Sequence, residues 1–107
     1  MLQVVDKTNF DAEVLEANGL VFVDFWSPTC TVCTGLMPDI EALAEKNADK
    51  AKFCKLDTSG NRRLAISQKV MGLPTLVIFK GGERVAVWNK EEIDLDAIQA
   101  KLDELAE

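Results

Sequence analysis

Leu20-Val-Phe-Val-Asp-Phe-Trp26, followed after Ser-Pro-Thr29 by Cys30-Thr-Val-Cys33, is the stretch whose reading decides the fold. The first run holds a single acid and is too continuously apolar for a half-exposed strand. It reads as a central strand buried on both faces. A helix-like stretch, Thr34 to Asn47, follows the cysteines. Backbone N–H groups left free at a helix start, together with the helix dipole, stabilise a thiolate placed there. A second cysteine one turn on reaches the first and closes a disulfide, so that one thiol attacks and the other resolves. A C-x-x-C pair at a strand–helix junction therefore points to redox chemistry.

Upstream, Leu2 to Val5 reads as a short strand. Thr8 or Asn9 caps a helix through Ala17, with Phe10, Val14 and Leu15 on its buried side, and Asn18-Gly19 ends it. Downstream, Ala51 to Asp57 is a third strand and about Arg62 to Lys69 a short helix. Thr75 to Lys80 is a fourth strand, Gly81-Gly82 a hairpin turn and Glu83 to Trp88 a fifth strand. Asp94 caps a last helix with Leu95, Ile98, Leu102 and Leu105 at helical spacing. The order is βαβαβαββα. It predicts an α/β fold, a central five-stranded mixed sheet flanked by four helices, with residues 1–107 forming one domain.

Composition narrows the function. With 107 residues and 48% hydrophobic content, the chain builds a core without staples. Its net charge of −6, from 12 basic and 18 acidic residues, disfavours nucleic acid and anionic membrane as partners. The charges read as interspersed, so the acidity is expected to serve solubility. No run approaches the roughly 18 apolar residues of a membrane span. Met1-Leu-Gln-Val-Val-Asp6 lacks the basic start and apolar segment of a signal peptide, so a cytoplasmic location is expected, where disulfides are transient and catalytic. Three cysteines cannot all pair within one chain. A structural zinc site takes four ligands, and the chain has no histidine and only Cys54 beyond the pair.

Over essentially its whole length the sequence resembles the thioredoxin family. The resemblance rests on Val23-Asp-Phe-Trp26, on Cys30 and Cys33, and on Pro38 five residues past the second cysteine. It continues in Lys55-Leu-Asp57, Gly72-Leu-Pro-Thr75 and Phe79-Lys-Gly-Gly-Glu83. It implies reduction of protein disulfides, with Cys30 as the attacking thiolate, of pKa about 7 in such motifs, and Cys33 as the buried resolving thiol.

Asp24 is an ionisable residue in an apolar strand and shares a face with Phe22 and Trp26 by alternation. Desolvation raises such a carboxyl. By resemblance it moves a proton to or from the resolving thiol, and Lys55 is the lysine that pairs with it. Pro74, unaided, starts a strand. The resemblance makes it a cis-proline facing the disulfide, with Leu73 and Gly72 pairing to an extended substrate. Pro38 is expected to kink the active-site helix, and Trp26 to pack under the site. Cys54 reads as a small buried hydrophobe.

The family pattern has Trp before the first cysteine and Gly-Pro between the two. Thr29 and Thr31-Val32 stand there in this chain and are counted with the substrate-binding residues. The usual Gly after the fifth strand is missing from Val87-Trp-Asn-Lys-Glu-Glu-Ile93, where an exposed Trp88 would offer a contact or cover the core. No histidine lies between the cysteines, so a reducing potential of about −270 mV or lower is expected.

The implied protein is a disulfide reductase with no bound cofactor. Its electrons come from a reductase like those serving thioredoxins, its substrates are disulfide-containing proteins of a specialised set, and it acts as a monomer. The rival reading is a thioredoxin-like subunit that docks on a partner without turnover. Metal binding and glutathione use are weaker.

Overall fold

The computed structural model describes residues 2–107. β2 (Leu20–Trp26) lies in the middle of a five-stranded sheet of order β1-β3-β2-β4-β5. Its apolar run requires this, because every residue from Leu20 to Phe25 is buried. β2 pairs parallel with β3 (Ala51–Asp57) and antiparallel with β4 (Thr75–Lys80). β1 (Gln3–Val5) adds to β3 in parallel, and β5 (Glu83–Asn89) closes the far edge against β4. The sheet is mixed, and three of its five strands have the bounds the sequence predicts.

Alternation along β2 divides the core in two. Leu20 and Phe22 face α1 (Thr31–Lys46) and α3 (Leu95–Leu105), packing with Ile40, Leu43, Ile98 and Leu102. Val21, Val23 and Phe25 face the other way, toward Phe10, Val14 and α2 (Arg62–Ser67). Phe10, Phe22, Phe25 and Phe79 are all fully buried, each contributing roughly 2–3 kcal/mol of transfer free energy. Phe10 meets Phe79 edge-on at 5.9 Å, which stitches the first helix to β4.

Four helices flank the sheet, as expected, but the first is a π-helix, Asp11–Leu15, shorter than the α-helix through Ala17 that periodicity suggests. The Glu16 N–H donates to the Asp11 carbonyl, five residues back. Capping also differs. Neither Thr8 nor Asn9 caps it: Asp6 accepts from the Thr8 N–H, while Asn9 Oδ1 accepts from the Asp6 N–H. These bonds close the turn ahead of the helix, whose N-cap is Phe10, with no side-chain cap. Asp94 caps α3 as read, accepting from the Asp96 and Ala97 N–H groups. Trp88 is not exposed. It is half-buried, opposite Leu76 on β4, and packs on the cluster beneath α3.

Candidate active site

α1 starts three residues earlier than its apolar pattern suggests, because Cys30 itself is the cap. Cys30 has an extended backbone (φ −89°, ψ 107°), and its Sγ accepts from the Cys33 N–H at 3.1 Å. The sulfur thus takes the place of the Ser or Asp oxygen usual at that position. No acidic residue lies in the first turn. A negative sulfur at this point meets an oriented amide and the positive end of a 16-residue helix. Cys30 and Cys33 are disulfide-bonded, with their Cα atoms 5.2 Å apart. Cys30 is partly exposed and Cys33 fully buried, the asymmetry an attacking and a resolving sulfur need.

Asp24 lies on the α1 side of β2 and is 1% exposed, with neither carboxylate oxygen hydrogen-bonded. Burial pushes its carboxyl up to about 7, against the opposing pull of the Lys55 charge. Lys55 is the register neighbour of Asp24 on β3. No salt bridge joins the two among the described residues, so the pairing expected of Lys55 is one of proximity. Its ammonium lies instead 5.4 Å from the centroid of the half-buried Trp26 ring. A cation–π contact of this kind leaves no trace in sequence spacing.

The Leu73-Pro74 bond is cis. Pro74 is buried, Leu73 half-buried and Gly72 exposed. The Thr75 hydroxyl donates to the Gly72 carbonyl at 2.7 Å and ties this turn together. Thr75 is the register partner of Phe25, so the turn and the Cys30 loop sit at the same end of adjacent strands. Pro38 lies inside α1. Thr31 and Val32 are exposed on the first turn, and Thr29 is exposed beside it, its Oγ1 3.0 Å from Ser27 Oγ. Ser27 is buried too, a residue that neither the strand pattern nor the cysteine spacing singles out, although a hydroxyl between a core strand and the cysteines is a readable signal. Cys54 is 0% exposed, as read, and burial pushes its thiol up to about 11. No group of His, Cys, Asp and Glu side chains suited to a metal occurs among the described residues.

The thioredoxin family model matches residues 1–104. The chain belongs to the thioredoxin family. It is 48% identical over 102 residues to a thioredoxin of Peptoclostridium acidaminophilum, covering 95% of this chain and 93% of that one. It is 44% identical over 96 residues to a thioredoxin of Acetoanaerobium sticklandii, covering 90% and 91%. Thioredoxin 1 of a Nostoc species is 40% identical over 83 residues, covering 78% and 77%. With both cysteines present and bonded, this family member is a thiol–disulfide oxidoreductase, a protein-disulfide reductase. A docking subunit without turnover is not favoured. Family membership implies disulfide-containing substrates and a reductase donor.

Proposed function

We propose that the chain reduces a specialised set of protein disulfides as one catalytic unit, with Cys30 attacking and Cys33 resolving. The Cys30 thiolate attacks one sulfur of the substrate disulfide, forming a mixed disulfide and releasing the other sulfur as a thiolate. Cys33, once deprotonated, attacks Cys30 Sγ. The Cys30–Cys33 disulfide forms and the substrate leaves as a dithiol, carrying away two electrons and two protons, the Cys33 proton relayed through Asp24 and a second taken from solvent. Asp24 takes the Cys33 proton. A carboxyl with a value of about 7 is matched to that exchange near neutral pH. Lys55 and Trp26 support Asp24 from the side, and Pro38 shapes the helix. Thr29, Thr31, Val32, Gly72, Leu73 and Pro74 hold the substrate.

A reductase returns the electrons, no cofactor is bound, and the protein works as a cytoplasmic monomer. No helix among the described residues is long and apolar enough to cross a membrane. The observation that carries the reading is the Cys30 sulfur capping α1 through the Cys33 N–H.

The Cys33→Ser variant tests it. Mixed with a protein disulfide, it is expected to accumulate a covalent adduct at Cys30 that dithiothreitol releases, while Cys30→Ser forms none. An adduct at Cys54, or none at either cysteine, would overturn the assignment.

A further inference from the structure

The charges of this chain are not interspersed once they are placed on the fold. Residues 58–90 carry six basic groups (Arg62, Arg63, Lys69, Lys80, Arg84 and Lys90) against Glu83 alone. The rest of the chain carries six basic and 17 acidic groups. Two adjoining grooves lie within the basic part. The first, about 440 Å³, starts at Gly72 and Leu73 beside the cis bond and passes Met71 and Ile66 to Arg62. The second, about 320 Å³, shares Ser59 and Arg62 with the first and continues to Arg63 and Lys7.

The surface is apolar at the disulfide end and cationic at the other. Met71 is 89% and Ile66 61% exposed, large apolar side chains with no cover. Arg62 and Ile66 stand four apart on one face of α2, so the charge and the apolar contact adjoin. No acidic side chain lines either groove, and Arg62, Arg63 and Lys7 form no salt bridge among the described residues. Among the described residues no salt bridge holds these three cations, and only Lys7 has an acid, Asp6, near enough to feel its charge, so they stay available to an outside anion in a chain of net charge −6.

We propose that this double groove docks a segment of the substrate protein, flanking its reducible disulfide, that carries an apolar residue followed by acidic ones. The apolar residue covers Met71 and Ile66, and the carboxylates reach Arg62, Arg63 and Lys7. Charge complementarity selects this occupant. The acidic remainder of the chain repels the same partner, so the field orients the encounter toward the cationic end of the double groove, from which the apolar end leads to the disulfide. The proposal rests on the thiol–disulfide reading above and adds to it the chemistry of the substrate.

The test uses three peptides, each with one internal disulfide and a leucine, identical except for flanking aspartates, lysines or serines. The chain is reduced beforehand with dithiothreitol, so no reductase takes part. Peptide reduction is followed by acid quench and chromatography. At low ionic strength the aspartate peptide is expected to react ~10-fold faster than the lysine peptide, and at ~0.5 M salt the ratio should fall below ~2. The K7Q/R62Q/R63Q variant should bring the ratio below ~2 even at low salt. All three positions are exposed, and the circular dichroism of the variant checks its fold. Should R62Q/R63Q/K7Q unfold the chain, R62Q alone is measured and should lower the ratio.

A ratio near one in the unaltered chain would overturn the proposal, as would a preference that survives the substitutions. If the serine peptide is not reduced either, the thiol–disulfide reading itself fails and this inference with it.

Discussion

The Lys55 ammonium lies 5.4 Å from the Trp26 ring centroid. It is held over an aromatic face rather than against the carboxylate of its register neighbour, Asp24. The lysine still lowers the Asp24 value through space, though by less than burial raises it. Replacing Lys55 with Met is therefore expected to move the Asp24 titration higher and the exchange rate's pH profile with it. Carbon NMR of the Asp24 carboxyl reads the change directly, and an unmoved titration would refute the coupling.

Asp24→Asn separates stability from catalysis. The folded-state value of about 7 lies above the ordinary 3.8, so between those limits the folded chain holds a proton that the unfolded chain has lost. The resulting destabilisation is absent below the ordinary value, grows as pH rises, and levels off above the folded value, at on the order of 4 kcal/mol. Urea unfolding should find Asp24→Asn about 2–4 kcal/mol more stable than the unaltered chain at pH 8, and the two nearly equal at pH 4. Exchange by the variant should slow at neutral pH. Parallel stability curves across that range would rule out a buried titrating Asp24.

Alkylation should tell Cys30 from Cys54. Cys30 caps a helix and is partly exposed, whereas Cys54 is 0% exposed with its thiol pushed up to about 11, by burial first. In the reduced native protein, iodoacetamide is expected to label Cys30 at a pH below that of a free thiol and to leave Cys54 untouched until the chain unfolds. Mass spectrometry assigns the site. Native labelling at Cys54 would contradict the packing described.

Two backbone positions are expected to respond with opposite signs. Lys69 ends α2 at φ 62°, with the Val70 N–H closing back on the Ala65 carbonyl. That is the left-handed position glycine favours, so Lys69→Gly should add about 1 kcal/mol, a rise of roughly 4–8 °C in Tm. Gly82 sits at φ 82°, and a Cβ there would come 2.8 Å from the Leu15 carbonyl oxygen. Gly82→Ala should cost about 1–3 kcal/mol. Thermal melts of the pair decide both.

What the sequence disclosed followed from burial. β2 and β4 are legible because a nearly continuous apolar run has one comfortable place in a sheet, β3 because Phe53, Cys54 and Leu56 stand between polar residues, and Asp24 stands out inside the run of β2. Cys30 and Cys33 are legible through their spacing, and the cis bond at Pro74 only through the family resemblance. Tertiary placement of side chains stayed hidden. The Lys55 ammonium could go to Asp24 or Trp26, and nothing in the strand pattern chooses. Trp88 has an alternation that fits exposure or cover, and its register with Leu76 settles the matter. The start of α1 lies three residues ahead of its apolar pattern, because the turn from Thr31 to Cys33 is held by the Cys30 sulfur rather than by apolar spacing. The basic excess of residues 58–90 is present in the sequence itself, but only the fold gathers Lys7 with Arg62 and Arg63.

Thr31 and Val32 sit on the first turn of α1 with exposed side chains, and neither side chain enters the core clusters. The fold therefore has almost no stake in their identity, beyond a helix propensity worth about half a kcal/mol. The two positions form a cassette. Evolution or an engineer can rewrite the residues between the sulfurs while the scaffold inherits the change without repacking.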